Sequence, residues 1–275
     1  MSTNLKTNAA PKPWTPVALA GLKGQRRLTC LSVHDHLTAR LVDEAGIDIA
    51  LVGDSLGMTV LGFPNTLPVS MADMLRHTAA VARACQTALV VADMPFMSYQ
   101  VSVAQGLRNA GRFLSQAGAS MVKIEGGAGR VELISALTAN GIPVMGHIGL
   151  TPQSIAALGR YRVQGRTAPE AEQLLADARA VTAAGASLLV IECVPAPLAR
   201  AITAAVSCPT IGIGAGPDCD GQVLVLADLL GLTPDPAPRF VRRYADFRTQ
   251  AQRALAAYKA DVASGAYPAE DESYA

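Results

Sequence analysis

One event recurs along this chain and restricts its fold more than any other: a short apolar run stops at an ionisable residue. Ile49-Ala50-Leu51-Val52 leads into Gly53-Asp54-Ser55, and Ala88 to Ala92 leads into Asp93. Ser120-Met121-Val122 leads into Lys123-Ile124-Glu125, Pro143 to Gly146 into His147, and Ser187 to Ile191 into Glu192. Runs of this length, bounded by turn residues, read as strands buried on both faces. Asp54 and Asp93 are 39 residues apart, Asp93 and Glu125 are 32 apart, and Glu125 and Glu192 are 67 apart, with His147 inside the longest gap. A strand with its returning helix takes roughly 30 residues or more. Each step is therefore one parallel strand–helix unit, and the longest step is two. The ionisable groups then share one end of successive parallel strands, which in a (β/α)8 TIM barrel is the catalytic face. One polar residue after one strand is ordinary loop; the same event at four acids points to a shared site.

A chain of 275 residues suffices for one such barrel. Half of the residues are apolar but only 4% are aromatic, so the core has to be built from Ala, Val, Leu and Ile. With 16% charged residues and a mean hydropathy of +0.27, part of the surface is expected to be buried between subunits of a homo-oligomer. The net charge of +1, with no basic stripe interleaved with aromatics, argues against a nucleic-acid partner. No apolar run approaches the roughly 18 residues of a membrane span, so no membrane partner is expected. Met1 to Pro16 is polar and Pro-rich and lacks the basic-then-apolar pattern of a secretion signal. The five cysteines are odd in number and form no CxxC pair, which fits free thiols in a reducing, cytoplasmic setting. Cys193 adjoins Glu192 but has no evident base partner, and reads as a packed thiol.

Residues 1–16 are expected to be a flexible N-terminal segment and residues 17–275 a single barrel domain, with a short helix over 16–22 closing its bottom. Strands are expected at 28–33, 48–53, 88–92, 120–124, 143–146, 187–191 and 209–213, and the eighth at Phe240-Val241. Helices are expected over 37–45, where Leu37, Leu41 and Ala45 share one side, over 70–84 with Ser70 as N-cap and Asp73 three residues on, and over 102–116 and 130–140. Further helices are expected over 169–184, 196–205, 221–230 and 247–264. Residues 148–167 exceed a simple βα turn. They hold a helix start at Thr151-Pro152-Gln153-Ser154 and a basic patch from Arg160 to Arg166, and they suit a lid or a pocket lining.

Three carboxylates from adjacent strand ends, Asp54, Asp93 and Glu125, repel one another and need a cation to stay ionised together. All-oxygen ligation favours a hard divalent ion such as Mg2+, which acts as a Lewis acid on a substrate oxygen. A bidentate 2-oxo acid suits its open positions. Lys123 lies two residues before Glu125, so both face the barrel interior. Buried, it is suited to hold a substrate carboxylate or stabilise an enolate; a Schiff base is the rival role, disfavoured because the acids keep it protonated. Glu192 is the acid outside the trio and the best general-base candidate, while Ser55 and His147 are placed to hydrogen-bond substrate oxygens. His77 reads as external. The spacing of His34-Asp35-His36 fits no zinc pattern. Gly212 to Gly216 either receives an anionic group on bare backbone N–H donors or marks close packing. Taken together, these residues describe metal-assisted chemistry on a small oxo acid, with a base removing a proton next to a carbonyl. The electrophile is left open.

The chain closely resembles the ketopantoate (3-methyl-2-oxobutanoate) hydroxymethyltransferase family over roughly residues 25 to 275. The resemblance lies in Leu51-Val-Gly-Asp-Ser-Leu-Gly-Met58, Thr66-Leu-Pro-Val69, Ala92-Asp-Met-Pro-Phe96 and Met121-Val-Lys-Ile-Glu-Gly-Gly127. It continues in Gly146-His-Ile-Gly-Leu-Thr-Pro-Gln-Ser154, Val163-Gln-Gly-Arg166, Glu192-Cys-Val-Pro195, Gly212-Ile-Gly-Ala-Gly216 and Gly265-Ala-Tyr-Pro268. It implies a (β/α)8 barrel of the phosphoenolpyruvate/pyruvate type in cytoplasmic homo-oligomers, commonly decamers. It implies one Mg2+ per subunit held through Asp54, Asp93 and Glu125, a 2-oxo acid contacting Asp54, Ser55, Asp93 and Lys123, His147 lining the site, and Glu192 as proton acceptor. The implied reaction takes a proton from C3 of 3-methyl-2-oxobutanoate and adds a one-carbon unit from 5,10-methylenetetrahydrofolate, giving 2-dehydropantoate for pantothenate synthesis. The chain departs from the family at Ser32-Val-His-Asp-His36, where Thr-Ala-Tyr-Asp-Tyr is usual, at Arg160, where Gly is commoner, and near Pro64-Asn65, where a charged residue is missing. The rival readings are a carbon–carbon lyase or phosphonomutase on the same barrel, and a catalytically dead barrel serving as a scaffold.

Overall fold

The computed structural model describes residues 12–274, so most of the segment 1–16 lies outside the described residues. The chain divides into two compact units between Leu224 and Val225. Along the first unit run α1 (Pro16–Ala20), β1 (Leu28–Ser32), α2 (His36–Glu44), β2 (Ile49–Val52), α3 (Leu56–Thr59), α4 (Met71–Ala84) and β3 (Leu89–Asp93). There follow α5 (Val103–Ala117), β4 (Met121–Glu125), α6 (Val131–Ala139), β5 (Val144–Gly149), α7 (Ile155–Leu158), α8 (Ala168–Ala183), β6 (Leu188–Glu192), α9 (Ala196–Ala205) and β7 (Thr210–Ile213). With β8 (Gly221–Val225) the strands close into a barrel in sequence order, and each paired neighbour is parallel.

Local chemistry sets the helix starts. Ser70 and Thr167 form capping boxes with Asp73 and Glu170, and Thr15, Asp35 and Ser102 each accept a backbone N–H of the first turn. The period of two sets the strands. Leu28, Cys30, Ile49, Leu51, Leu89, Val91, Met121, Met145, Leu188, Val190, Ile211 and Val223 fill the barrel, with Leu19 of α1 in the same cluster. Two further residues along the same inward rows stand Asp93, Lys123, His147 and Glu192, with Glu125 one step beyond Lys123. One parity rule thus fills the barrel with aliphatic side chains and crowns it with ionisable ones.

Asp43 of α2 anchors the entry to β3. Its carboxylate accepts from the backbone N–H groups of Gln86, Thr87 and Ala88 and from the Thr87 hydroxyl, at 2.7 to 3.0 Å. Burial alone would raise its pKa, but these donors outweigh it and hold the carboxyl below its ordinary value. Asp43→Ala is expected to cost about 2 kcal/mol and about 5 °C of Tm at pH 7, because three backbone N–H groups and one hydroxyl lose their acceptor. A carboxyl depressed in the folded state stabilises above its unfolded pKa of about 4, and that stability is lost as pH falls through the folded value. The gap between variant and wild type in thermal unfolding therefore narrows toward pH 3; a gap equally wide there assigns the loss to packing instead.

The structure corrects three expectations. Phe240-Val241 is not a strand; the eighth strand is Gly221–Val225, where a helix over 221–230 was expected, and only Leu226–Leu229 (α10) is helical. The Leu-rich run Val223-Leu-Val-Leu-Ala-Asp-Leu-Leu230 carries a helical pattern that hides the strand. Residues 214–220 hold no helix, so β7 passes to β8 through a loop. On α2 the buried residues are Ala39 and Val42, while Leu37 and Leu41 are 75% and 61% exposed. His77, expected to be external, is half-buried, and its Nδ1 lies 2.5 Å from the carbonyl oxygen of His34. In the second unit, α11 (Phe247–Ser264) spans the expected residues, starts at an Asp246 cap and ends at Gly265 in the left-handed conformation.

Candidate active site

Strand register brings the ionisable groups together. Asp93 pairs with Lys123 across β3 and β4, Glu125 with His147 across β4 and β5, and Gly149 with Glu192 across β5 and β6. Gly149 has φ +93°, and a side chain there would strike the carbonyl of Glu192; glycine lets the two strand ends close up. Asp54 follows β2 in the turn that starts α3, and its N–H donates to Asp93 Oδ2 at 3.3 Å.

The side chains form one continuous chain of contacts. Lys123 Nζ lies 2.7 Å from Asp93 Oδ2 and 4.0 Å from Glu125 Oε1, and 3.2 Å from His147 Nδ1. His147 Nδ1 lies 3.5 Å from Glu125 Oε1, and its Nε2 lies 3.1 Å from Glu192 Oε2, close but out of line for a hydrogen bond. Asp54, Asp93, Lys123, Glu125 and His147 are all buried; the Glu192 side chain, 16% exposed, is the one open to the mouth.

The electrostatics follow from this crowding. Burial, then Asp93 and Glu125, push the Asp54 carboxyl well above its ordinary value. Burial raises Asp93 too, although Lys123 opposes the rise. Burial also works against charge on Glu125, but His147 and Lys123 outweigh it and hold that carboxyl low. Burial disfavours charge on Lys123, yet Asp93, Glu125 and Asp54 keep its pKa above the usual ammonium value and favour the ammonium form. Burial and Lys123 disfavour the imidazolium of His147, but Glu125 and Glu192 on either side hold its pKa up to about 9.

Among the described residues, no three His, Cys, Asp or Glu side chains are spaced to grip a metal ion as they stand. The donor chemistry nevertheless fits a hard cation. Asp93 Oδ1 and Glu125 Oε1 are buried with no hydrogen-bond partner, a state that ordinarily costs about 1–3 kcal/mol per group. Oxygen donors of this kind are what Mg2+ takes.

Ser55 Oγ lies 3.2 Å from Ser32 Oγ and 3.3 Å from His34 Nε2, and Ser32 Oγ lies 3.1 Å from the same nitrogen. Burial, then His77, lowers His34 to about 4, so its imidazole is neutral. His36 is exposed and takes no part. The thiols are packed: burial, then Glu192, pushes Cys193 up to about 12, and all five cysteines are free. The glycine loop after β7 is close packing, since a side chain at Gly216 would strike Ala196. The segment after β5 folds into a 3-10 turn (Pro152–Ser154) and α7, and Gln164 N–H ties it to the carbonyl of Cys193. Tyr161 lies within the field of Asp54, Glu192 and Glu125. A cleft of about 390 Å³ is lined by Gly149, Gln164, Gly165, Glu170, Gln173 and Leu174 and holds none of the clustered acids.

Sequence reasoning missed two residues of this site. Gln153 and Tyr99 are buried and bond to Asp54, Glu125 and each other. Gln153 stood in a helix start and in one of the family's motifs with no role attached, and Tyr99 in the loop between the expected strand 88–92 and helix 102–116.

The family model of ketopantoate hydroxymethyltransferase matches residues 15–270. A 3-methyl-2-oxobutanoate hydroxymethyltransferase of Koribacter versatilis (strain Ellin345) is 56% identical over 247 residues, 90% of this chain and 84% of that protein. One of Syntrophus aciditrophicus (strain SB) is 48% identical over 271 residues, 98% of this chain and 100% of that protein. Among solved structures, phosphonopyruvate hydrolase in complex with oxalate and Mg++ superposes with a TM-score of 0.61 at 15% identity, covering 94% of this chain and 93% of that one. A 2,3-dimethylmalate lyase of the PEP mutase/isocitrate lyase superfamily gives a TM-score of 0.55 at 17% identity, covering 90% of this chain and 86% of that one. Likeness at that identity shows the fold alone: a TIM barrel shared with a hydrolase and a lyase. The sequence match separates this chain from them, and it belongs to the ketopantoate hydroxymethyltransferase family.

Proposed function

We propose that the mouth of the barrel transfers a hydroxymethyl group from 5,10-methylenetetrahydrofolate to 3-methyl-2-oxobutanoate, giving 2-dehydropantoate and tetrahydrofolate, with water supplying the hydroxyl. The observation that carries this reading is the unbroken run of contacts from Asp54 through Asp93, Lys123, Glu125 and His147 to Glu192 at one end of the barrel. Asp54, Asp93 and Glu125 are assigned as the holders of one Mg2+ per chain. When bound, Mg2+ supplies Lewis-acid polarisation of the 2-oxo group and balances the carboxylates. Lys123, held charged by Asp93, receives negative charge on the substrate as its enolate develops. Asp54, Ser55, Asp93 and Lys123 are the assigned substrate contacts, with the Ser55 hydroxyl steadied by Ser32 and His34. Glu192 takes the C3 proton: it is the acid exposed at the mouth, and it stands outside the Asp54, Asp93 and Glu125 set. His147 lies between Glu125 and Glu192 and steadies the base.

Assembly as a homo-oligomer, a decamer as the resemblance implies, is part of the same proposal, supported by the exposed apolar side chains of Leu37, Leu41 and Val101. No helix among the described residues is long and apolar enough to cross a membrane.

Incubating the protein with 3-methyl-2-oxobutanoate and methylenetetrahydrofolate is expected to yield 2-dehydropantoate with Mg2+ and none after chelation. Equal product in excess EDTA would remove the metal from the proposal. Turnover of the oxo acid without folate would favour the lyase reading.

A further inference from the structure

The geometry points to Gln153 as a positioning residue: its amide and its backbone N–H clip two of the cation's carboxylates, Asp54 and Glu125, into register. This rests on the reading that Asp54, Asp93 and Glu125 share one cation.

Gln153 is buried, and every polar atom of its side chain is committed. Nε2 donates to Asp54 Oδ2 at 3.0 Å and to the carbonyl of Met94 at 2.8 Å. Oε1 accepts from the Tyr99 hydroxyl at 2.7 Å and from Gln100 Nε2 at 3.1 Å. Its backbone N–H donates to Glu125 Oε2 at 3.0 Å. The amide has two donors and two acceptor lone pairs, so its capacity is full. Its orientation is fixed by chemistry. The Met94 carbonyl can only accept, so the group facing it is the NH2; a flipped amide would set oxygen against oxygen at both Met94 and Asp54. Tyr99 reinforces the choice, because its oxygen receives the Glu125 N–H at 3.2 Å and its single proton is free for Gln153.

The consequence is a sorting of oxygens. On Glu125, Oε2 is tied to Gln153, while Oε1 makes no hydrogen bond and has only His147 Nδ1 at 3.5 Å and Lys123 Nζ at 4.0 Å beside it; on Asp93, Oδ2 is tied to Lys123 and Oδ1 makes no hydrogen bond. On Asp54 it is Oδ2 that Gln153 ties. Each acid thus has one oxygen held, and on Asp93 and Glu125 the other, free of hydrogen bonds, is left for the cation. Gln153 comes from the segment after β5, so a single residue couples the ends of β2 and β4 across the mouth.

The test is Mn2+ binding by electron paramagnetic resonance titration, with Gln153→Met, Tyr99→Phe and the double variant. Methionine keeps the volume and removes every side-chain hydrogen bond. Gln153→Met is expected to weaken Mn2+ about 10- to 100-fold, the usual cost of losing a group that orients metal ligands. Its Mg2+ requirement for activity should rise in parallel, with kcat at saturating Mg2+ changing less than the half-saturation concentration. Tyr99→Phe is expected to weaken Mn2+ about threefold or more, and the double variant to lose clearly less than the product of the two single losses, since the hydroxyl acts in part through the amide, besides accepting the Glu125 N–H directly. Mn2+ affinity within twofold of wild type in Gln153→Met overturns the inference, as does simple additivity of the two losses. If Gln153→Met does not fold, Tyr99→Phe decides, unchanged affinity counting against. Wild-type protein that binds no Mn2+ would instead sink the shared-cation reading beneath it.

Discussion

Asp93→Ala is expected to lower 2-dehydropantoate formation at least about 10³-fold at saturating substrates, with no rescue by added Mg2+. Asp93 is tied into three functions at once. Its Oδ2 holds the Lys123 ammonium at 2.7 Å and the N–H of Asp54 at 3.3 Å, and its Oδ1, which makes no hydrogen bond, is the oxygen proposed for the cation. Removing it takes away a ligand, releases Lys123 from its nearest acid and frees the Asp54 turn. Loss of Lewis-acid and charge stabilisation of several kcal/mol is worth three or more powers of ten in rate. Stability moves less. The carboxylate trio loses one repelling member, while Lys123 keeps Glu125 at 4.0 Å. Asp93→Asn separates charge from shape: the amide oxygen can still accept the Asp54 N–H, so a fall similar to that of alanine assigns the effect to charge. Circular dichroism and Tm near wild type, with activity lost, is the expected pair of results. More than a tenth of wild-type turnover in the alanine variant would take Asp93 out of the metal set.

Much of this was legible in the amino-acid order, for a physical reason. A parallel strand buried on both faces must be apolar throughout, so an ionisable residue at its end stands out, and the period of two then tells which side it faces. Lys123 and Glu125 were placed inward by that rule, and the structure has both buried in one contact network. Helix caps were equally readable, because Ser70 with Asp73 is a local hydrogen-bond pattern that needs no tertiary partner. The eighth strand was not legible. Residues 221–225 alternate weakly and run straight into a Leu-rich helical pattern, and closure against β1 is a long-range event with no local mark. On α2 the helical spacing of Leu37 and Leu41 was readable, but spacing alone does not say which side packs, and the buried residues are Ala39 and Val42. Gln153 stayed hidden because a glutamine after a proline signals only a helix start; its meaning lies in partners 28 and 99 residues away.

Glu192→Gln is the second variant with a large expected effect. The side chain keeps its size and can still face His147 Nε2, 3.1 Å away in the wild type, so the mouth keeps its shape while its base is gone. General-base catalysis is worth about 10²–10⁴ in rate, and a loss of that size in kcat is expected with the KM for 3-methyl-2-oxobutanoate held within about threefold. A split of this kind marks an interaction made in the transition state and not in substrate binding.

Deuterium wash-in at C3 of 3-methyl-2-oxobutanoate, followed by proton NMR in D2O with Mg2+ present and folate left out, isolates the step assigned to the acids gathered at the β-strand ends. Wild-type protein is expected to exchange that proton, and Glu192→Gln to do so at less than about one-hundredth of the wild-type rate. Exchange in Glu192→Gln at the wild-type rate would contradict the assignment of the base.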